Sequence, residues 1–197
     1  MKTFKLIVLV ITSFVLITTS QAKVVITEVM PCNISTYMDK GVYNFPGWME
    51  LYNDGDELSL KGYTISHYKI KDDQQVLKWE WTITEDIKVG SEAYRLLFFD
   101  EEDASKHAPY KLDSDGGIII LSQGKNKIDS LKYSRMDTRI SYGRYGDGAG
   151  YMNPTPKAEN SAAYTLDKRV KSLSFENLTP GLVESGKHKV TIKSPTT

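Results

Sequence analysis

The chain is poor in the residues that would let a small protein avoid building a core. It has one cysteine, Cys32, so no intramolecular disulfide can staple it, and stability has to come from buried apolar surface. An unpaired cysteine of this kind fits burial better than a redox role. The three histidines, His67, His107 and His188, are far apart, and none has a neighbour at metal-ligand spacing. That leaves a zinc site or a catalytic triad poorly supported, and the three read as surface or rim residues. Formal net charge is zero, so the chain as a whole has no electrostatic pull on a polyanion. Beyond residues 6–17 no apolar run approaches membrane-spanning length. Nowhere does apolar periodicity of three to four residues persist for the length of a helix.

What the sequence does have is a globular composition. Hydrophobic residues make up 40% and aromatics 11%, enough to bury the core of one ordinary domain. Residues 1–22 combine Lys2 and Lys5, a short apolar stretch and the small residues Ser20 and Ala22, the pattern of a signal peptide cut after Ala22. Export is the expectation, to the periplasm, the cell surface or the medium. From there short β-branched and aromatic runs alternate with turn residues. They predict strands over 24–30, 47–52, 62–70, 77–83, 93–99, 117–122, 127–133 and 140–144, an all-β set with the spacing of a sandwich. Trp79 and Trp81 fall on one face of their strand, and Ile118 to Leu121 reads as a strand buried on both faces. The stretch 146–160, rich in Gly and Pro, is expected to run as an irregular cover over a sandwich edge. Residues 23–163 form the predicted domain. Residues 164–197 read as a linker and the incomplete opening of a second β module.

Several ordered segments share a pattern: Ile26-Thr27-Glu28-Val29-Met30-Pro31, Trp48-Met49-Glu50-Leu51-Tyr52-Asn53, Leu60-Lys61-Gly62-Tyr63-Thr64-Ile65-Ser66, Ile128-Asp129-Ser130-Leu131-Lys132-Tyr133 and Pro154-Thr155-Pro156-Lys157-Ala158-Glu159-Asn160. In this order they resemble the lamin-tail domain of the exported bacterial type, over roughly 24–160. The resemblance implies an immunoglobulin-like β-sandwich with Trp48, Glu50, Tyr63 and Trp79 in structural roles. It implies no catalytic pair and no cofactor. Lys88 and Lys157 depart from the pattern, standing where that family often has proline and glycine.

The candidate sites follow from these readings. The insertion 33–45 carries Tyr37, Tyr43 and Phe45 in a polar setting, and aromatics on a loop supply rigid contact area for a partner. Arg139, Tyr142 and Arg144, with Arg135 nearby, are the best case for a polyanion surface, diluted by Asp137 and Asp147. Glu28 and Glu50 could be an acid and base pair, but read better as hydrogen-bonded structural acids. The acids Asp100 to Asp103, with Asp113 and Asp115, offer oxygen ligands without the full spacing of a calcium loop. Asn33-Ile34-Ser35 and Asn177-Leu178-Thr179 match the N-glycosylation pattern. The expectation is a binding or spacer module of the cell envelope with no catalysis, no cofactor and no metal. Its partner would be a protein or glycan, with nucleic acid disfavoured. The alternative is the accessory domain of an exported nuclease, phosphatase or kinase-like enzyme whose catalytic part lies outside this sequence.

Overall fold

The computed structural model describes residues 24–161 and two further three-residue strands. The signal-peptide reading of residues 1–22, His188 and Asn177 lie outside the described residues.

The strands in chain order are β1 (Val24–Met30), β2 (Gly47–Asn53), β3 (Leu58–Ser59), β4 (Tyr63–Lys71), β5 (Gln74–Thr82), β6 (Lys88–Val89), β7 (Ala93–Phe99), β8 (His107–Ala108), β9 (Gly116–Gln123), β10 (Asn126–Ser134), β11 (Ser141–Tyr145), β12 (Gly148–Met152), β13 (Ser174–Glu176) and β14 (Thr191–Lys193). The fold is all-β, with no helix among the described residues. A six-stranded sheet in the order β12-β11-β1-β2-β7-β8 and a four-stranded sheet in the order β10-β9-β4-β5 contribute most of it. Both are antiparallel except for the parallel β7–β8 pair. In the tail only β13 and β14 are described, and they pair with each other.

The sheets meet through one core, which makes the architecture sandwich-like. Val24, Ile26, Val29, Met49, Leu51, Leu97 and Phe99 come from the six-stranded sheet. Ile65, Trp79, Ile119, Leu121, Leu131 and Tyr133 face them from the four-stranded sheet. Period-two alternation puts these side chains inside and their neighbours out. Trp79 packs flat on Tyr110, with centroids 5.2 Å apart, and its indole N–H donates to the Lys111 carbonyl. Tyr63 is buried in the same core.

The structure corrects several expectations. Within the run 118–121 of β9, Ile119 and Leu121 are buried while Ile118 and Ile120 are half-buried, because an antiparallel sheet packs one face on its partner and leaves the other toward water. The segment expected to be wholly irregular contains β12, which forms a hairpin with β11, and the remainder lies over the outer face of the six-stranded sheet and not along an edge. His67 and His107 are buried, at 0% and 6% exposure, and not at the rim. His67 Nε2 lies 3.1 Å from the Tyr133 hydroxyl, which donates onward to the Asp113 carbonyl. Gly117 has to be glycine, since a Cβ there would run into the His67 ring and the Tyr68 carbonyl. Cys32 is half-buried, not enclosed.

The free edge of the four-stranded sheet is blunted. The β4–β5 register shifts between His67 and Tyr68, leaving Lys78 as the extra residue on β5, held by Asp113 at 2.7 Å. A bulge with a lysine is a recurrent guard against strand-to-strand aggregation.

Candidate functional site

The outer face of the six-stranded sheet, turned away from the core, carries two rows of side chains. Register aligns Met30 with Trp48 and Trp48 with Phe98, and aligns Glu28 with Glu50 and Glu50 with Leu96. Met30, Trp48, Leu96 and Phe98 form a small apolar cluster of their own, with Trp48 fully buried. The second row places two carboxylates side by side, both fully buried.

Two irregular segments cover this face, and each carries the groups that the row beneath it needs. Residues 153–160 lie over the acids. Thr155 donates its N–H and its hydroxyl to Glu28, the Lys157 N–H donates to Glu50, and the Thr27 hydroxyl donates to Glu50 at 2.9 Å. Asn160 fixes the end of the segment by donating to the carbonyls of Thr27 and Arg144 at 2.9 and 2.8 Å. Gly143 leaves room for that amide, because a Cβ would meet both Asn160 and the Thr27 carbonyl. Burial raises both carboxyls. It carries Glu50 to about 7 against the lowering effect of Lys157 and Thr27, with the charge of Glu28 adding to the rise. Together the two acids clasp residues 153–160 to the sheet.

The loop 31–46 covers the apolar row. Tyr37 caps the cluster, its ring centroid 6.1 Å from that of Phe98, and the Lys157 ammonium lies 5.0 Å over the Tyr37 ring, joining the two covers. Asn33 organises the loop from within. Its amide donates to the carbonyls of Tyr37 and Pro46 at 2.6 and 2.9 Å, and its carbonyl accepts from the N–H groups of Thr36 and Tyr37. Asn33, the acceptor position of the glycosylation pattern, is thus buried and fully engaged.

A second anchor comes from a histidine that sequence spacing could not reveal. His107, on β8, packs against Phe98 and faces a carboxylate with each ring nitrogen: Nε2 is 2.7 Å from Asp39 Oδ2, and Nδ1 is 2.8 Å from Asp100 Oδ1. Burial works against the Asp39 charge, but the Gly41 N–H and His107 hold its carboxyl below the usual range. The nearest sequence signal was Asp39 itself, an acid inside an aromatic loop, yet it lies 68 residues from His107.

Pinned at Asn33 and Asp39, the loop presents Ile34, Met38, Tyr43 and Phe45 to solvent, with Tyr43 81% exposed. Half of the exposed large hydrophobics of the described residues fall in this one segment. Tyr37 is therefore separated from Tyr43 and Phe45 in role, since it caps the cluster while they stand free.

Arg139, Tyr142 and Arg144 do not make one surface. Arg144 is spent on a bidentate pair with Asp129 at 2.6 and 2.8 Å and on the Ser130 carbonyl. The pair ties β11 of one sheet to β10 of the other, and Asp129 also accepts from the Ile26 N–H. Tyr142 packs against the core and meets Tyr151 edge-on. Arg139 sits exposed at a turn with φ 68°. The acidic stretch is divided as well. Asp100 serves His107, Glu101 pairs with Lys111, and Asp113 is shared by Lys69 and Lys78. Among the described residues no group of three or more His, Cys, Asp or Glu side chains is placed to hold a metal ion. Comparison with protein-family models, with curated proteins and with solved structures finds no match to this chain.

Proposed function

We propose that the chain is a non-catalytic binding module of the cell envelope, exported by its N-terminal segment, with an immunoglobulin-like sandwich of lamin-tail type as the scaffold. The observation that carries this reading is the aromatic loop, whose apolar residues are exposed while its base is tied down by Asn33 and by the Asp39–His107–Asp100 arrangement. Exposed apolar groups on a fixed base lose little entropy on contact, the usual design of a contact surface. The partner is a protein or glycan of the envelope.

The test is co-sedimentation of the purified chain, without residues 1–22, with envelope fractions, run beside hydrolase assays. Wild type is expected to sediment with the envelope and a Tyr43→Ala/Phe45→Ala variant of equal melting temperature to stay in solution. Equal sedimentation of the two, or turnover that disappears in Glu50→Gln, removes the reading.

A further inference from the structure

Beside the aromatic loop the six-stranded sheet has a gap. β8 pairs with β7 only at Phe98 and Phe99, so residues 93–97 of β7 have a strand on the β2 side and, among the described residues, none on the other. A narrow cleft of about 50 Å³ opens there, bounded by Tyr37 and Asp39 from the loop, by Tyr94, Arg95 and Leu96 of β7, and by Lys106 and Lys157.

Three cations from three separate parts of the chain line this edge. None of Arg95, Lys106 and Lys157 makes an ion pair among the described residues, and the buried Arg95 Nε has no hydrogen-bond partner. Lys106 and Lys157 both hold left-handed backbone, with φ 70° and 65°. Glycine would take that conformation without strain, so a lysine at each of two such positions around one cleft points to a use for the side chain. Of the opposing charges, Asp39 is bonded to His107 and also feels Lys106, Glu50 is enclosed by Thr27 and Lys157, and the exposed acids nearby are Glu159, which acts on Tyr94, Glu92, which precedes residue 93, and Asp103, three residues before Lys106.

We propose that this edge accepts an acidic peptide in extended form, added as a strand beside residues 93–97 with its carboxylates against Arg95, Lys106 and Lys157. This rests on the reading of the loop as a contact surface and names the partner as protein. An open strand edge supplies main-chain hydrogen bonds to any extended peptide, and the cationic rim selects acidic ones.

The test uses backbone amide NMR of the chain with a synthetic hexapeptide alternating glutamate and valine. Its controls are the lysine–valine counterpart and trigalacturonate. The glutamate peptide is expected to shift the amides of 93–97 and to bind less tightly as salt rises. It should bind about tenfold more weakly to Lys157→Gly, which keeps the backbone N–H that reaches Glu50. Silence at 93–97, equal binding of the lysine peptide, or binding of trigalacturonate without the peptide overturns the proposal. If Tyr43→Ala/Phe45→Ala still abolishes envelope binding while the peptide is silent, this proposal falls and the loop reading stands.

Discussion

Two buried titratable residues set opposite pH trends in stability. Glu50 is raised by burial from 4.5 to about 7, so the folded state binds its proton more tightly than the unfolded chain does. Its contribution is full below pH 4.5 and is lost as pH rises through 7, with Glu28 acting in the same sense. His67 is lowered by burial from 6.5 to about 4, so its contribution is full above pH 6.5 and is lost as pH falls toward 4. Each amounts to about 3 kcal/mol over its window, enough to see in melting temperature. Glu50→Gln keeps an acceptor for the Lys157 N–H and a group for Thr27. It should therefore gain on wild type as pH goes from 5 to 7.5, whereas His67→Gln should gain on wild type as pH falls from 6.5 to 4.5. Melting curves that shift in parallel at every pH would refute both assignments. That Glu50 is a hydrogen-bonded structural acid was suggested by the family resemblance, while alternation alone left open whether it points out to water or into a bonded site. The burial of His67 was not legible in the sequence, since its place depends on a bulge one residue away and on space left by Gly117.

At the scale of elements, the loop 31–46 is a rigid piece only because of its tethers. Asp39 joins it to His107 by a charge-assisted bond in a partly buried setting, and such bonds contribute roughly 1.5–3 kcal/mol. Asp39→Ala should therefore leave the sandwich folded while the amides of 34–45 exchange about ten to a hundred times faster, since local opening costs less. Unchanged exchange would show that Asn33 alone holds the loop. Strand positions were readable from alternation, and Ala93–Phe99 falls at the expected residues. The short strands β3, β6 and β8 were not, because two-residue pairings carry no period and form only where neighbouring elements bring them together. For the same reason the aromatic loop was visible in the sequence as an insertion, but its anchor was not.

The molecule as a whole depends on cross-ties as well as on its core. Asp129 binds Arg144 from the opposite sheet and the Ile26 N–H in the same place, and removing it strands two partly buried donors. Asp129→Ala should cost about 2–4 kcal/mol, whereas Arg139→Ala, at an exposed turn, should cost less than about 0.5 kcal/mol. A loss for Asp129→Ala as small as that for Arg139→Ala would mean that the tie between Asp129 and Arg144 contributes little to the fold. The most direct check on the central claim is hydrogen exchange on the chain with and without solubilised envelope material. Slowed exchange confined to 34–45 and 93–98 is the predicted result. Slowed exchange at the exposed Ile70, Val76 and Leu77 of the β4–β5 hairpin instead, or at no residue, would contradict it.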